Sequence, residues 1–267
     1  MESLQTELPQ ADYELIDYPG VLQGTRPKKF YVPREDILGM FVKTARMSEF
    51  AVQVELYRRF ARGGSFLEVG ANIGTDTVHA GDFFKNCYAF EPSSRNIKLL
   101  RKNLEVNGIS NVRVFQAAVG ERRGMAKLYL GEKNNLGGAN LNPEDRQSRQ
   151  SEEVEIVTLD SAMPEDVRDI TYIHIDTEGH DIQVLKGAGD FLVRQEHRPM
   201  IRMEFQPRAL QLHGSDISEL ITIMDQFQYT PKFNAAGHLV SLSRSILSEM
   251  FPLWLPTDGW IDILLCP

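Results

Sequence analysis

Five side chains able to move or hold protons, Asp176, Glu178, His180, Asp181 and Glu204, follow directly on two apolar runs, residues 171–175 and 200–203. In an open parallel sheet both runs would end at one edge, where ligands sit, so the five groups converge. Transfer of a group to a hydroxyl needs a base. Asp176, Glu178 or His180 can serve, by direct proton transfer or by helping to hold a divalent cation that acidifies the hydroxyl. A histidine base would show an acid limb near its ordinary pKa of about 6.5. Plainer roles compete: acids ahead of a helix satisfy orphan N–H groups, which suits Asp181, and His180 and Glu204 are equally compatible with surface or packing roles. The candidate catalytic set is Asp176, Glu178, His180 and Glu204, and no metal-ligand spacing is recognisable.

A second constellation would hold a cofactor. The stretch 65–75, Ser-Phe-Leu-Glu-Val-Gly-Ala-Asn-Ile-Gly-Thr, reads as a buried strand running into a glycine turn and a helix. Glu91 ends the next apolar strand, seventeen positions after Gly74, where an acid gripping the hydroxyls of a ribose belongs. The turn lacks the first bare glycine of a dinucleotide loop, and Glu68 and Asn72 line it instead. A carboxylate there repels a pyrophosphate but attracts the ammonium and sulfonium end of S-adenosylmethionine (SAM), which favours SAM over NAD or FAD. A tight turn that binds nothing is the alternative. Gln116 and Ala117, closing the third strand, are placed to meet an adenine or simply to turn the chain. The expected cofactor residues are therefore Glu68, Gly70, Asn72, Gly74, Thr75, Glu91, Gln116 and Ala117.

These groups need a scaffold. Apolar runs at 66–69, 87–90, 112–115, 171–175 and 200–203 alternate with helical patterns, which predicts an α/β fold with a parallel sheet and helices on both faces. Residues 229–233 and 260–265 are expected to pair as a closing unit. Residues 126–130 and 154–157 read as strands of an insertion, bracketing a polar loop over 131–151 that acts as a lid or as a disordered linker. Residues 1–33 show no regular period and read as an arm or cover, and one long helix from Asp36 to about residue 62 follows. The division expected is an N-terminal arm and helical extension over 1–62, carrying substrate specificity or a homo-oligomer contact, and a catalytic domain over 63–267.

At 267 residues and 42% hydrophobic the chain can bury a full core. A net charge of −8 argues against non-specific nucleic-acid binding, which needs a basic face to collect phosphates. Cys87 and Cys266 lack zinc-site spacing and read as reduced core residues. The acidic N-terminus lacks signal-peptide features and no run reaches the roughly 18 apolar residues of a membrane span, so a cytoplasmic protein is expected.

Taken together, residues 65–206 resemble the FkbM-type methyltransferase family. The resemblance rests on Phe-Leu-Glu-Val-Gly-Ala-Asn-Ile-Gly at 66–74, Phe90-Glu91-Pro92, the turn at 116–120, Ile-Asp-Thr-Glu-Gly-His-Asp-Ile-Gln-Val-Leu-Lys-Gly at 175–187, and Glu204 ending the next strand. It implies a Rossmann-like, seven-stranded class I methyltransferase sheet, mostly parallel with an antiparallel last strand. It also implies SAM-dependent O-methylation of a hydroxyl on a sugar, glycolipid, polyketide-like product or other small molecule. An adenine N-methyltransferase would carry an Asp/Asn-Pro-Pro-Tyr/Phe turn where Asp176-Thr177-Glu178-Gly179 stands. N-methylation and a non-catalytic SAM-binding module remain the rival readings.

Overall fold

The computed structural model describes residues 12–20, 22, 25–43, 47–131, 135, 137–142, 150–235 and 238–267. The chain first forms two antiparallel strands, β1 (Tyr13–Tyr18) and β2 (Lys28–Pro33), in place of the irregular arm expected there. Their pattern is weak because β1 is only half-buried. What orders them is long-range packing: Tyr18, Phe30 and Val32 share one apolar cluster with Val78, Leu99 and Leu100 of the helices behind them. Lys28, buried, pairs with Asp82 at 2.8 Å. The single long helix expected next is instead two, α1 (Ile37–Lys43) and α2 (Met47–Phe60), with 44–46 outside the described residues.

The alternating part matches its pattern closely. It comprises β3 (Ser65–Val69), α3 (Thr75–Ala80), β4 (Cys87–Phe90), α4 (Ser94–Val106, capped by the Ser93 hydroxyl) and β5 (Val112–Phe115). The insertion follows as a separate three-stranded sheet of β6 (Ala118–Val119), β7 (Gly124–Tyr129) and β8 (Ser151–Val157). Then come α5 (Leu159–Ala162), β9 (Ile170–Ile175), α6 (Asp181–Lys186), α7 (Gly189–Val193) and β10 (Met200–Phe205). The chain closes with α8 (Pro207–Leu212), α9 (Ile217–Gln226, with a capping box from Asp216 to Glu219), β11 (Thr230–Ala235), β12 (His238–Ser241), α10 (Arg244–Trp254) and β13 (Ile261–Cys266).

The main sheet runs β12-β11-β13-β10-β9-β3-β4-β5. It therefore has eight strands rather than seven. The addition is β12, a short strand that hairpins onto β11 and that residues 238–241 were too few to signal. From β10 to β5 neighbouring strands are parallel, and β13 lies antiparallel to β10. The expected pairing of the closing strands is present, with Thr230 opposite Cys266. Period-two alternation sorts the residues: Leu67, Ile173, Ile201 and Leu265 face the α6, α7 and α9 side, while Phe66, Tyr172, Met200 and Leu264 face α2. No described helix is long and apolar enough to cross a membrane.

The N-terminal hairpin should contribute to global stability rather than hang on it. Phe30 is 1% exposed and lies with its ring centroid 6.1 Å from Tyr18 and 5.7 Å from His79. Phe30→Ala is expected to cost about 3–5 kcal/mol in urea unfolding. A loss below about 1 kcal/mol would show the hairpin to be peripheral.

Candidate active site

The strand order reverses at β3, which has β4 on one side and β9 on the other, so the crevice beyond β3 and β9 is where a ligand belongs. Gly70 and Asp176 flank it. Gly70 has φ +92, and a Cβ there would overlap the Asp176 carbonyl oxygen. Gly74, at φ +86, is pressed in the same way against Leu100 of α4. The N–H groups of Gly70 and Ala71 both donate to the Phe90 carbonyl, each at 2.9 Å. The two glycines thus serve close packing of the sheet edge, where the sequence suggested a direct approach of N–H groups to a ligand. Asn72, at φ 50, takes a left-handed conformation rare for a side-chain-bearing residue.

Glu91 is 4% exposed. Its carboxyl accepts from the backbone N–H of Asn72 and of Ser93, each at 2.8 Å, and from the Asn96 amide at 3.5 Å. Burial outweighs these bonds and lifts its pKa to about 7. Glu91 opens onto a cavity of about 320 Å³, within the about 300–1,000 Å³ typical of small-molecule sites. Gly70, Asn72 and Ala117 line the same cavity, and opposite them stand Asp176, Glu178 and His180. The structure therefore brings seven of the residues singled out in the sequence around one space. The insertion roofs it: Leu128 of β7 and the segment around Asn140 also line it, and Asn140 is held by paired backbone bonds to Tyr129, of 2.8 and 3.0 Å. Much of the 131–151 loop, expected as lid or linker, lies outside the described residues.

The other predicted residues sit elsewhere. Thr75 is buried, its carbonyl accepting from His79 Nδ1 at 2.7 Å, and Gln116 is exposed beyond β5; neither lines the cavity, nor does Gly74. Glu68 points beneath the turn, 2% exposed, where the Thr77 hydroxyl donates to it. His174 Nδ1 lies 3.4 Å from Glu68 Oε1 and 4.0 Å from Asp76 Oδ2. Arg202 approaches His174 Nε2 at 3.0 Å and donates to Asp262 at 2.6 Å. A guanidinium can only donate, so Nε2 must be the acceptor and the imidazole proton sits on Nδ1, facing Glu68. Among the described residues, Glu68, Asp76 and His174 are the metal-ligand types that converge. Arg202 already supplies the cation there, and Tyr57 occupies Asp76 Oδ1 at 2.8 Å. The convergence thus lies under the turn and not on Asp176 and Glu178, the pair the sequence offered as possible cation holders.

The acid turn is strained. Glu178 at φ 52 and Gly179 at φ +93 are successive left-handed residues, and Gly179 lies hard against Ala209. Asp181, 1% exposed, accepts from the Gly179 N–H at 3.2 Å, a local bracing role in place of the expected cap, and burial with the nearby Asp176 raises it to about 7. His180 Nδ1 lies 3.2 Å from Nδ1 of His213, the residue ending α8, which no sequence motif marked. Burial pushes both histidines down to about 4. The acid limb near 6.5 expected of a His180 base is therefore displaced. Asp176 opens on the cavity yet is surrounded by protein, which raises its carboxyl against the opposing pull of His174 and Arg202. Glu204 stands outside the cavity lining. Burial, then Asp176, Glu178, Asp181 and Asp262, push it to about 9, so at neutral pH it is a proton donor.

An eight-stranded α/β sheet with a cavity at the C-terminal edge of its switch point, entered by a ribose-type acid and a second group of carboxylates, is a Rossmann-like methyltransferase fold. The methyltransferase FkbM domain model matches residues 68–231, and the chain belongs to that family. It is a SAM-dependent methyltransferase. No curated protein matches it. Among solved structures it is similar to SMU.1697c from Streptococcus mutans in complex with SAH, at 10% identity over 82% of this chain and 96% of that one, TM-score 0.47. It is similar also to an rRNA methylase from Streptococcus thermophilus, at 12% identity over 81% and 94%, TM-score 0.45. A third is precorrin-6y C5,15-methyltransferase from Geobacter metallireducens, at 11% over 80% and 85%, TM-score 0.43.

Glu204 provides a test of the site's electrostatics. Its folded pKa of about 9 lies above the unfolded value; the unfolded value is about 4.3. As pH rises between the two, the unfolded chain loses a proton that the folded chain keeps, and stability falls. Glu204→Gln removes that dependence. The variant should gain on the wild type by more than about 1 kcal/mol between pH 5 and 9 in urea titrations. A difference that does not change with pH would refute the assignment.

Proposed function

We propose that the chain transfers the methyl group of SAM to a hydroxyl of a small molecule, sugar, glycolipid or polyketide-like acceptor, in the cavity between the Gly70 and Asp176 turns. The observation that carries this reading is that one cavity is lined by both sets of residues, Gly70, Asn72 and Glu91 from the glycine turn and the strand beside it and Asp176, Glu178 and His180 from the acid turn. The residues fit the cofactor. The two Glu91 oxygens have about four lone-pair sites, of which the bonds from Asn72, Ser93 and Asn96 use three, leaving capacity for a ribose hydroxyl. Asn72 Oδ1 is buried on the cavity wall with no hydrogen-bond partner among the described residues, and awaits a donor. SAM supplies an already activated methyl group. What the chain must add is alignment of the acceptor and removal of its proton.

For that proton we assign Asp176 and Glu178 ahead of His180. The imidazole is engaged with His213 and holds a proton too weakly, with its pKa near 4. A carboxylate on the cavity wall with a raised pKa is the better acceptor. A ring of carboxyls around the cleft supports a neutral or hydroxyl-bearing acceptor over a phosphate backbone. The direct test incubates the protein with isotopically labelled SAM and a panel of hydroxylated sugars, glycolipids and polyketides, and reads the methyl linkage by mass spectrometry. Methyl ethers support the proposal; methylation on nitrogen alone overturns it.

Two variants follow. Ribose hydroxyls favour ionised Glu91, so SAM affinity should drop up to tenfold per pH unit below about 7 and level off above it. Glu91→Gln should flatten that profile, and Glu91→Ala should weaken binding at least about tenfold by calorimetry. Wild-type affinity in a folded Glu91→Ala protein removes Glu91 from the site. Glu178→Gln should keep SAM affinity and lower turnover by about 10²–10⁴ on an accepted substrate. Unaltered turnover there would leave Glu178 only its place in the turn.

A further inference from the structure

A second cavity, of about 310 Å³, lies at the opposite edge of the sheet, among Thr171 and Met200 at the starts of β9 and β10 and Cys266 at the end of the antiparallel β13. It shares no lining residue with the first. Arg59, Arg62, Arg198 and Lys232 converge on it, together with His197, and no described residue lining it has an acidic side chain. The chain has 37 acidic residues against 29 basic. Elsewhere some of its cations are paired, Lys28 with Asp82, Lys85 with Asp169, Arg208 with Asp258 and Arg244 with Asp225, while scattered ones such as Lys98, Arg101, Arg123 and Lys127 form no ion pair among the described residues. Around this cavity, Arg59, Arg62 and Lys232 form no ion pair among the described residues.

Each cation has an ordinary role to be weighed. Arg59 is in the last turn of α2, where it suits the helix dipole, and Arg198 donates to the Phe227 carbonyl and to Gln228 Oε1 at the end of α9. Neither role explains Lys232 on β11, nor Arg62, held at φ 46 with its guanidinium carbon 6.0 Å from the Phe60 ring centroid. Arg59 lies over the same ring at 5.5 Å. Arg59, Arg62 and Arg198 are exposed and Lys232 is half-buried, so cations from α2, the β10 approach and β11 border one open space where an anion would meet all of them. Arginine forks match phosphate geometry, and the ring and Met200 offer an apolar bed beside them.

We propose that this cavity binds a phosphate-bearing small molecule, its phosphate held by Arg59, Arg62, Arg198 and Lys232 and its apolar part against Phe60 and Met200. The site is separate from methyl transfer and stands whether or not the acceptor assignment does.

Calorimetry on the full chain with pyrophosphate and with AMP should show saturable binding that weakens with added salt. The Arg62→Gln/Lys232→Met double variant should lose at least tenfold in affinity for these probes while SAM affinity stays unchanged. If the double variant loses SAM affinity, the two single variants, each expected to lose severalfold, decide instead. Vesicles of phosphatidic acid in phosphatidylcholine separate the sources of phosphate. Binding that pyrophosphate displaces and the variant lacks supports a lipid headgroup, and pyrophosphate binding without vesicle binding supports a soluble ligand. The proposal is overturned if neither probe binds saturably, or if the variants bind the probes as the wild type does.

Discussion

The site depends on one close approach, that of the Asp176 carbonyl to the Gly70 backbone. Any side chain at residue 70 would overlap that oxygen, and the φ of +92 would strain it further. With glycine there, the ends of β3 and β9 close together at the point where strand order reverses. The Asp176 N–H then donates to the Val69 carbonyl at 2.9 Å, extending the ladder one residue beyond the strands. The two turns leave the sheet side by side, so a cofactor wall and an acid wall from residues about a hundred positions apart face a single cavity. Sequence separation costs little here because the parallel sheet has already fixed the geometry.

Beneath the contact runs a row of buried charge. Glu68, His174 and Arg202 are register neighbours on adjacent strands and share the α2-facing side with Phe66, Tyr172 and Met200. Burying such groups is unfavourable in itself, and removing one partner of a buried pair costs about 3–5 kcal/mol. The row is held by hydrogen bonds from Thr77 to Glu68, Arg202 to His174 and to Asp262, and Tyr57 to Asp76, with His174 Nδ1 lying 3.4 Å from Glu68. Glu68, read from the sequence as attraction for a sulfonium, is occupied in this row. Asp176, two residues on from His174, is instead a carboxylate that lines the cavity.

What could be read in advance was what local pattern encodes. Strand-helix alternation, the glycine turn and the acids after β9 and β10 each sit within a few residues of their cause. What could not be read was decided across the chain. Tyr13–Tyr18 has no pattern of its own and becomes a strand because Phe30 and Val32 beside it pack on α4. His213 meets His180 only because α8 folds back over the acid turn, and Arg202 meets His174 only because β10 pairs with β9. Gln116 illustrates the opposite error: its position after β5 was right, but the chain turns Ala117 to the cavity and Gln116 to solvent.

The carboxyls around the cleft also bear on the direction of the chemistry proposed. Asp176, Glu178, Asp181 and Asp262 all act to raise Glu204, which takes up a proton and relieves the cluster of one negative charge. Asp176 remains under the opposing influence of His174 and Arg202, and Arg202 also pairs with Asp262 at 2.6 Å. The raised pKa of Asp176 makes it a stronger base than an aspartate of ordinary pKa, and it stands on the cavity wall. When a carboxylate there takes the acceptor's proton as the methyl leaves a sulfonium, one negative and one positive charge vanish together inside the protein. Exclusion of water by the bound substrates would then penalise the charged pair before transfer and not the neutral groups after it, which favours the forward step.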